Sequence, residues 1–266
     1  MPELALSQQQ TLHYLDPNPD GAQGIFLLHG LGASAESWLL QIPALVRAGY
    51  RPIAPDMRGF GKSTYPGSLN IQSMAADLAA LHKHLGLPAV HVVGISMGGT
   101  VALQYAIDFP ECVRKLVLTN TFAHIRPKNA AYYIYYAYRF FLVHTLGLKA
   151  QARAVSYRIF PKPEQEQLRS VLIDQIVQSD PRAYRAALRS LARFNVTHRL
   201  KEIKAPTLVI TGAEDSTIAP SVQEKMADGI LGAKMVVIPG AGHAVSVDSP
   251  NQFNKILMDF LASDSF

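Results

Sequence analysis

The segment at residues 94–98, Gly-Ile-Ser-Met-Gly, constrains the fold more than any other part of the sequence. This G-x-S-x-G motif lies between an apolar, strand-like run at residues 90–93 and a helix-like run at residues 98–106. A serine on so sharp a strand-to-helix turn has a strained backbone that exposes its hydroxyl. The glycines follow from sterics, because side chains there would collide across the turn. The helix directs its first N–H groups and its positive end toward the hydroxyl, so the motif predicts a nucleophilic Ser96.

Strand-like and helix-like runs alternate along most of the chain. A helical stripe covers residues 71–85, and a final helix is predicted over about residues 252–261. Alternation of this kind indicates a mostly parallel sheet with helices on both faces. The eight predicted strands, of which the first two are expected at the edge, are residues 4–7, 11–15, 24–28, 51–55, 90–93, 116–119, 207–211 and 234–238.

Residues 121–198 interrupt this alternation. They contain no strand-like run and several helical patterns, which predicts a helical cap inserted into a core of residues 1–120 and 199–266. Asp180 and Pro181 are typical of a helix N-cap followed by proline at the first helical position.

A serine hydroxyl needs a base to take its proton, and the base needs an acid to orient its ring. In this topology both should lie on loops that leave later strands, with the acid first. Asp215 follows the strand at 207–211, with Glu214 beside it as the alternative acid. His243 follows the strand at 234–238 in a glycine-rich turn, and it is the expected base.

An oxyanion needs two backbone donors. Met97 N–H supplies one by its position after the serine, and Leu31 N–H, in the glycine-rich loop after residues 24–28, is expected to supply the other. The side chain of His29 is expected to fold back onto this loop, whereas His82 and His84 are predicted at solvated positions of a helix.

These motifs resemble those of the α/β-hydrolase family. Residues 29–30, 94–99, 212–215 and 242–243 occur in the family's order and spacing, and the resemblance covers nearly all of the chain outside 121–198. Residues 56–63, Asp-Met-Arg-Gly-Phe-Gly-Lys-Ser, look like the family's D-x-R-G-x-G-x-S segment, which implies a structural role in bracing the loops of the site.

Comparison with branches of this family narrows the chemistry. Serine at position 96 argues against haloalkane dehalogenases and epoxide hydrolases, which use aspartate there. Ala244 departs from the tryptophan usual in carbon–carbon bond hydrolases. Ile95 and residues 118–121, Leu-Thr-Asn-Thr, look like those of the 3-oxoadipate enol-lactonase branch.

The predicted cap opens with an aromatic run at residues 132–141. Its rings populate almost every side of a helix, so one face should line the cleft below, with Tyr132, Tyr135, Tyr136 and Phe140 as candidate substrate-binding residues. The alternatives are that these rings pack the cap on itself and on the core, or that they form a lipid-facing lid.

Four arginines share a face of a later helix in this segment. That face is either solvated or an anchor for a substrate carboxylate. The four are Arg182, Arg185, Arg189 and Arg193.

The charge, hydropathy and cysteine content of the sequence limit which partners and which cellular compartment we expect. The formal charge is +5, but basic residues never exceed two in a row, so no nucleic acid-binding stripe is indicated. No charge-free apolar stretch approaches about 18 residues, so we expect no stable membrane insertion. The first residues lack the pattern of a signal peptide, and the single cysteine, Cys112, is expected to be a buried or inert thiol. A cytoplasmic protein is expected.

The sequence therefore predicts a serine hydrolase of carboxylic esters that needs no metal or cofactor. Its substrate would be a small-molecule ester, or a lactone cleaved by the same residues. A hydrolase-like sensor that binds a small ligand through its cap is the alternative from a different class, and a carbon–carbon bond hydrolase is a further alternative within the family.

Overall fold

The computed structural model describes residues 2–125 and 130–263, apart from the side chains of Ala131 and Tyr132. Within these ranges eight strands form one sheet in the order β1-β2-β4-β3-β5-β6-β7-β8. The strands are β1 (Glu3–Ser7), β2 (Gln10–Leu15), β3 (Gln23–Leu28), β4 (Tyr50–Pro55), β5 (Val90–Ile95), β6 (Val113–Thr119), β7 (Thr207–Gly212) and β8 (Lys234–Ile238).

The six strands from β4 to β8 in this order are parallel, and β2 runs antiparallel to both of its neighbours. This confirms the predicted eight-stranded, mostly parallel sheet. The prediction that β1 and β2 are both edge strands was wrong for β2, which pairs with β1 on one side and with β4 on the other.

The helices lie on both faces of the sheet. In the described ranges they are α1 (Ile42–Arg47), α2 (Ile71–His84), α3 (Met97–Asp108), α4 (Ala130–Phe141), α5 (Gly147–Ile159), α6 (Glu166–Gln178), α7 (Pro181–Arg193), α8 (Pro220–Asp228), α9 (Val245–Asp248) and α10 (Pro250–Ala262). A π-helical stretch spans Leu142–Leu146, and short 3-10 helices span Ala35–Trp38, Pro110–Cys112, Pro163–Gln165 and Thr197–Glu202. None of the helices in these ranges is long and apolar enough to cross a membrane.

Alternation of side chains along the buried strands divides the core into two layers. In β3, Phe26 packs in the layer that contains α2 and α3, while the next residue, Leu27, packs in the layer that contains α1 and α10. Val92 and Val93 divide in the same way in β5. Because both faces are covered, these strands are apolar runs rather than alternating ones.

The carboxyl ends of the central strands meet at one edge of the sheet. Leu28 is opposite Gly94, Ile95 is opposite Thr119, and Gly212 pairs with the last residue of β8. The loops that leave these ends carry every catalytic candidate from the sequence, and α/β sites form at such an edge.

Helices α4 to α7 lie between β6 and β7, where the sequence pattern predicted helices. Asp180 caps α7 as expected, since its carboxylate accepts hydrogen bonds from the backbone N–H groups of Arg182 and Ala183. These helices pack directly on the sheet-edge loops: a Cβ atom at Gly59 would come within 2.3 Å of Cβ of Ala183. The division of the chain into a core and a cap remains a prediction.

One histidine prediction was wrong. His82 is buried, because Tyr105 from the neighbouring α3 covers it and donates its hydroxyl to Nδ1 at 2.8 Å, while Nε2–H donates to Leu87 O. His84 is exposed, as expected.

Candidate active site

The turn between β5 and α3 holds Ser96 in a strained conformation. Its φ of 54° and ψ of −116° lie in a region that residues with side chains rarely occupy. The flanking glycines are required by close contact: a Cβ atom at Gly94 would come within 2.4 Å of Gly98 O, and one at Gly98 within 2.1 Å of Leu28 O. The backbone is tied to β6, since Ser96 N–H donates to Thr119 O and the Thr121 hydroxyl donates to Ser96 O. The hydroxyl of Ser96 is thus presented at a fixed point of the sheet edge.

The structure brings Ser96, His243 and Asp215 into one hydrogen-bonded chain. His243 Nε2 is 3.0 Å from Ser96 Oγ, and His243 Nδ1 is 3.0 and 3.1 Å from the two carboxylate oxygens of Asp215. The Asp215 side chain is fully buried and that of His243 nearly so, while Ser96 is half-buried. In this geometry the imidazole can take the hydroxyl proton at Nε2 while the carboxylate holds Nδ1–H.

Asp215 is held as a carboxylate by several donors. Its Oδ1 accepts from the backbone N–H groups of Thr217 and Ile218, each at 2.8 Å. Its Oδ2 accepts from the side-chain amide of Asn120 at 2.7 Å. Burial alone would raise the pKa of Asp215, but the charge and hydrogen bond of His243 with these donors hold the pKa below its ordinary value. The acid therefore stays ionised and can orient the ring.

The alternative acid, Glu214, lies elsewhere. Its side chain is exposed and pairs with Lys162 at 3.3 Å. The structure thus places Asp215 rather than Glu214 against His243.

Asn120 is a site residue whose position the sequence showed but whose role was missed. It follows the end of β6 with φ of 45°, and its amide bridges Asp215 Oδ2 and Gly242 O, at 2.7 and 3.3 Å. The sequence offered two signals, the resemblance of residues 118–121 to the enol-lactonase branch and a polar residue just after a buried strand. Such residues are common, and the contact depends on two loops far away in the chain.

The loop after β3 is ordered by His29, which is fully buried. Its Nδ1–H donates to Gly30 O at 2.8 Å, and its Nε2 accepts from Met57 N–H at 2.9 Å. Burial lowers the pKa of His29, more than the charge of Asp56 and the bond to Gly30 raise it, so the ring is neutral. The ring folds back onto its own loop, as expected, and its hydrogen bond with Met57 links that loop to the loop after β4.

The two expected oxyanion donors, Met97 and Leu31, come from different elements next to Ser96. Met97 is the first residue of α3, and Leu31 lines the same cavity as Ser96. Within residues 2–125 and 130–263, neither backbone N–H has a hydrogen-bond acceptor. Both N–H groups are therefore available to a substrate oxygen. Their role as oxyanion donors stays a prediction.

Residues 56–63 connect the loops around the site. Asp56 accepts from Ala35 N–H at 2.7 Å and from Lys62 N–H at 2.9 Å, and its Oδ2 also meets His13 Nδ1 at 2.9 Å. Arg58 forms an ion pair with Asp77 of α2. These contacts are the bracing that the resemblance implied.

A cavity of about 870 Å³ opens above Ser96 and His243. Its walls are mainly apolar and come from the loop after β3, from α4 and from α7. Of the four predicted substrate-binding residues, Tyr135, Tyr136 and Phe140 line it, whereas the side chain of Tyr132 lies outside the described residues. Tyr133, which was not singled out, also lines the cavity.

The arginines of α7 divide between the cavity and the surface. Arg189 and Arg193 line the cavity. Arg182 lies on the outer surface, where it pairs with Asp180 at 2.8 Å and stacks over the ring of Tyr65. Arg185 is half-buried and does not line the cavity. Only Arg189 and Arg193 of the four are therefore placed where the predicted carboxylate anchor requires.

The turn between α5 and α6 contacts the segment of the chain that carries His243. Lys162 Nζ donates to Gly240 O at 3.0 Å, and Gln165 donates to Asp248 Oδ1 at 2.8 Å. Asp248 Oδ2 in turn accepts Gly242 N–H at 2.8 Å, next to the histidine. Burial raises the pKa of Asp248 above its ordinary value despite these donors. The helices over the site therefore hold the loop that carries His243.

Within the described ranges, a reactive cysteine or a group of metal-ligating side chains could also support chemistry outside the Ser96–His243–Asp215 series. Burial raises the pKa of the Cys112 thiol, in agreement with an inert cysteine. No three His, Cys, Asp or Glu side chains within these ranges are grouped so that they could hold a metal ion.

Known proteins resemble the chain over nearly all of its length. A model of the alpha/beta hydrolase fold matches residues 25–250. A protein of Variovorax paradoxus (strain S110), provisionally named carbamate hydrolase RutD, is 34% identical over 260 residues, 94% of this chain and 96% of that protein. The enol-lactonase from Burkholderia xenovorans LB400 superposes with a TM-score of 0.89 at 26% identity, over 98% of this chain and 100% of that one. A thermophilic esterase from Thermogutta terrifontis gives a TM-score of 0.84 at 28% identity, over 97% and 96% of the two chains.

Proposed function

Because the chain belongs to the alpha/beta hydrolase family, we propose that it is a serine hydrolase that cleaves small to medium carboxylic esters. The observation that carries this proposal is the chain of hydrogen bonds from Ser96 through His243 to Asp215, at the floor of an apolar cavity. A fold of this kind hosts many reactions, so the substrate class rests on the site rather than on the fold.

In the first half of the reaction, Ser96 Oγ attacks the ester carbonyl carbon while its proton passes to His243 Nε2. The tetrahedral intermediate collapses, the carbon–oxygen bond to the alcohol breaks, and His243 returns the proton to the departing oxygen. The acyl group remains on Ser96. Asp215 keeps the Nδ1–H tautomer and stabilises the imidazolium that forms between the two proton transfers.

In the second half, water attacks the acyl carbonyl and loses a proton to His243. The bond to Ser96 Oγ breaks, the serine regains that proton, and the carboxylic acid leaves. The backbone N–H groups of Leu31 and Met97 stabilise the oxyanion in both halves. Removal of one such donor in a hydrolase typically costs about 10²–10³ in kcat.

We assign residues 121–198 to a cap over a core formed by residues 1–120 and 199–266. Its support is the cavity, whose roof comes from α4 and α7 and whose floor comes from the sheet-edge loops. In this assignment Tyr135, Tyr136 and Phe140 contact the acyl group, and Tyr132 is a further candidate.

Two relatives favour specific alternatives that use the same residues. Similarity to the enol-lactonase favours a cyclic ester as substrate, in which the alcohol stays attached to the acyl group. Similarity to the provisionally named carbamate hydrolase favours a carbamate, in which a nitrogen replaces the acyl carbon next to the carbonyl.

A substrate panel on the purified protein separates these possibilities. It contains p-nitrophenyl acetate, butyrate and octanoate, an enol-lactone and a p-nitrophenyl carbamate. We expect many turnovers on the butyrate ester. A sensor would release one equivalent of p-nitrophenolate and then stop, and a panel without any turnover would contradict an enzyme.

A further inference from the structure

The roof of the cavity contains a buried arginine whose polar partners are all neutral. Arg139 of α4 is 8% exposed and lines the cavity. Its Nη2 donates to the hydroxyl of Tyr184 of α7 at 3.3 Å. When the side-chain amide of Gln151 of α5 is oriented with its oxygen toward Arg139, that oxygen accepts hydrogen bonds from Nε and Nη2, each at 2.9 Å. One side of the guanidinium is thus held by side chains from two other helices.

No carboxylate compensates this charge in the described part of the chain. Arg139 forms no ion pair there, and its Nη1 group donates to no residue of those ranges. A buried cation without a counter-ion is costly, so such groups are normally paired with an acid or with a ligand. Because Arg139 lines the cavity, a ligand in that cavity can supply the missing partner.

The cavity around Arg139 carries excess positive charge. Among the described lining residues, Arg189 and Arg193 are the other arginines, His243 is the one histidine and Glu36 is the one carboxylate. Neither of the two α7 arginines forms an ion pair within those residues. Both of these side chains are exposed, so solvent screens their charge, whereas Arg139 is buried.

Arg139 also lies near the loop of the proposed oxyanion donor. The ring of Tyr184, whose hydroxyl meets Arg139, packs against that loop, since a Cβ atom at Gly32 would come within 2.9 Å of it. The ring of Tyr184 therefore lies between Arg139 and this loop.

We propose that Arg139 binds a carboxylate of the substrate, so that the preferred ester carries a free acid at the end of its acyl chain. The contacts to Gln151 and Tyr184 engage Nε and Nη2 and fix the plane of the guanidinium before the ligand arrives. The Nη1 group then offers its N–H donors to a carboxylate oxygen in a charge-assisted hydrogen bond. The inference rests on the proposed ester hydrolase and adds the substrate class. The sequence pattern indicated only the arginines of α7. The burial of Arg139 depends on packing between three helices and has no local signal in the sequence.

Two esters of equal length provide the test. Mono-p-nitrophenyl glutarate differs from p-nitrophenyl pentanoate in that a carboxylate replaces the terminal methyl group. We expect wild type to have the higher kcat/KM on the glutarate ester. Arg139→Gln should lower the ratio of the two kcat/KM values by about tenfold or more, because a charge-assisted pair is lost from one substrate only.

Arg182→Gln is the matched control, because it removes an arginine from the outer surface of α7 and should leave the ratio unchanged. A purely structural Arg139 would lower both activities by the same factor, and that result would overturn the proposal. So would a wild type that prefers the pentanoate ester.

Calorimetry with glutarate tests the site without turnover. Wild type should bind glutarate, and neutral glutaramide should bind at least about tenfold more weakly. Equal binding of the two compounds would overturn the inference even if Arg139→Gln does not fold. If neither ester is hydrolysed but glutarate still binds selectively, the proposed function fails and the carboxylate site stands.

Discussion

At the residue scale, the site depends on a few side chains whose environment decides their role. Asp215 and Glu214 are neighbours in the chain, yet one is buried against His243 and the other is exposed beside Lys162. The turn after β7 decides between them, because it aims two backbone N–H groups at Asp215. The same side chain without these donors would be a costly buried acid.

Asp215→Asn should lower kcat by about 10⁴-fold, because an amide favours the wrong imidazole tautomer facing the serine. Glu214→Gln, which changes the neighbouring residue on the same loop, should keep activity within about twofold. Steady-state kinetics on p-nitrophenyl butyrate measure both. An active Asp215→Asn with an inactive Glu214→Gln would move the acid to position 214.

The lowered pKa of Asp215 also predicts a pH dependence of stability. The folded state binds this proton less readily than the unfolded state, so ionised Asp215 stabilises the fold at neutral pH and loses this contribution as pH falls through its folded pKa. The difference in unfolding free energy between wild type and Asp215→Asn should therefore be constant above about pH 5 and shrink as pH falls further, because the unfolded carboxyl begins to bind its proton near its ordinary pKa of about 3.9. Urea denaturation at several pH values measures it, and a difference that stays constant below about pH 5 would contradict the assignment.

At the scale of elements, the turn between α5 and α6 connects the helices over the site to the loops below. Lys162 and Gln165 reach the loop that carries His243, and Arg158 and Ser216 exchange hydrogen bonds beside the acid. The catalytic geometry thus depends on these helices as well as on the sheet.

Asp248 accepts a hydrogen bond from Gly242 N–H, next to His243. Asp248→Ala should lower kcat by about tenfold while KM changes little. The reason is that Gly242 N–H loses its acceptor and His243 shifts relative to Ser96, and small displacements of catalytic groups are costly. Asp248→Asn keeps an oxygen acceptor and should recover most of kcat. Loss of KM rather than kcat, or equal loss in both variants, would show that Asp248 only stabilises the fold.

At the scale of the whole molecule, much of the fold was predictable because its signals are local. The strands are short apolar runs, and Ser96, Asp215 and His243 each follow the end of one, so strand order brought them to one edge. Features set by packing between distant elements were not predictable. The burial of His82 depends on Tyr105 of α3, and β2 gains its second neighbour only when the sheet assembles.

The size of the cavity predicts a limit on acyl length. Each added methylene of a p-nitrophenyl ester should gain at most about 0.8 kcal/mol until the apolar cavity is full. Tyr135→Ala and Tyr136→Ala enlarge its roof and should move the optimum to longer chains. The kcat/KM series from acetate to octanoate measures the optimum, and an optimum unchanged in both variants would place the acyl group elsewhere.

The central claim is that Ser96 is the nucleophile of a serine hydrolase, and a phosphonate ester tests it most directly. Wild type treated with an alkyl p-nitrophenyl phosphonate should release one equivalent of p-nitrophenolate, lose its esterase activity and carry the phosphonyl group on the peptide that contains Ser96. Ser96→Ala should do none of this while its melting temperature stays nearly unchanged, and its hydrolysis of p-nitrophenyl butyrate should fall by about 10⁴-fold or more. A phosphonyl group on another residue, or a Ser96→Ala enzyme that keeps a tenth of wild-type turnover, would contradict the account.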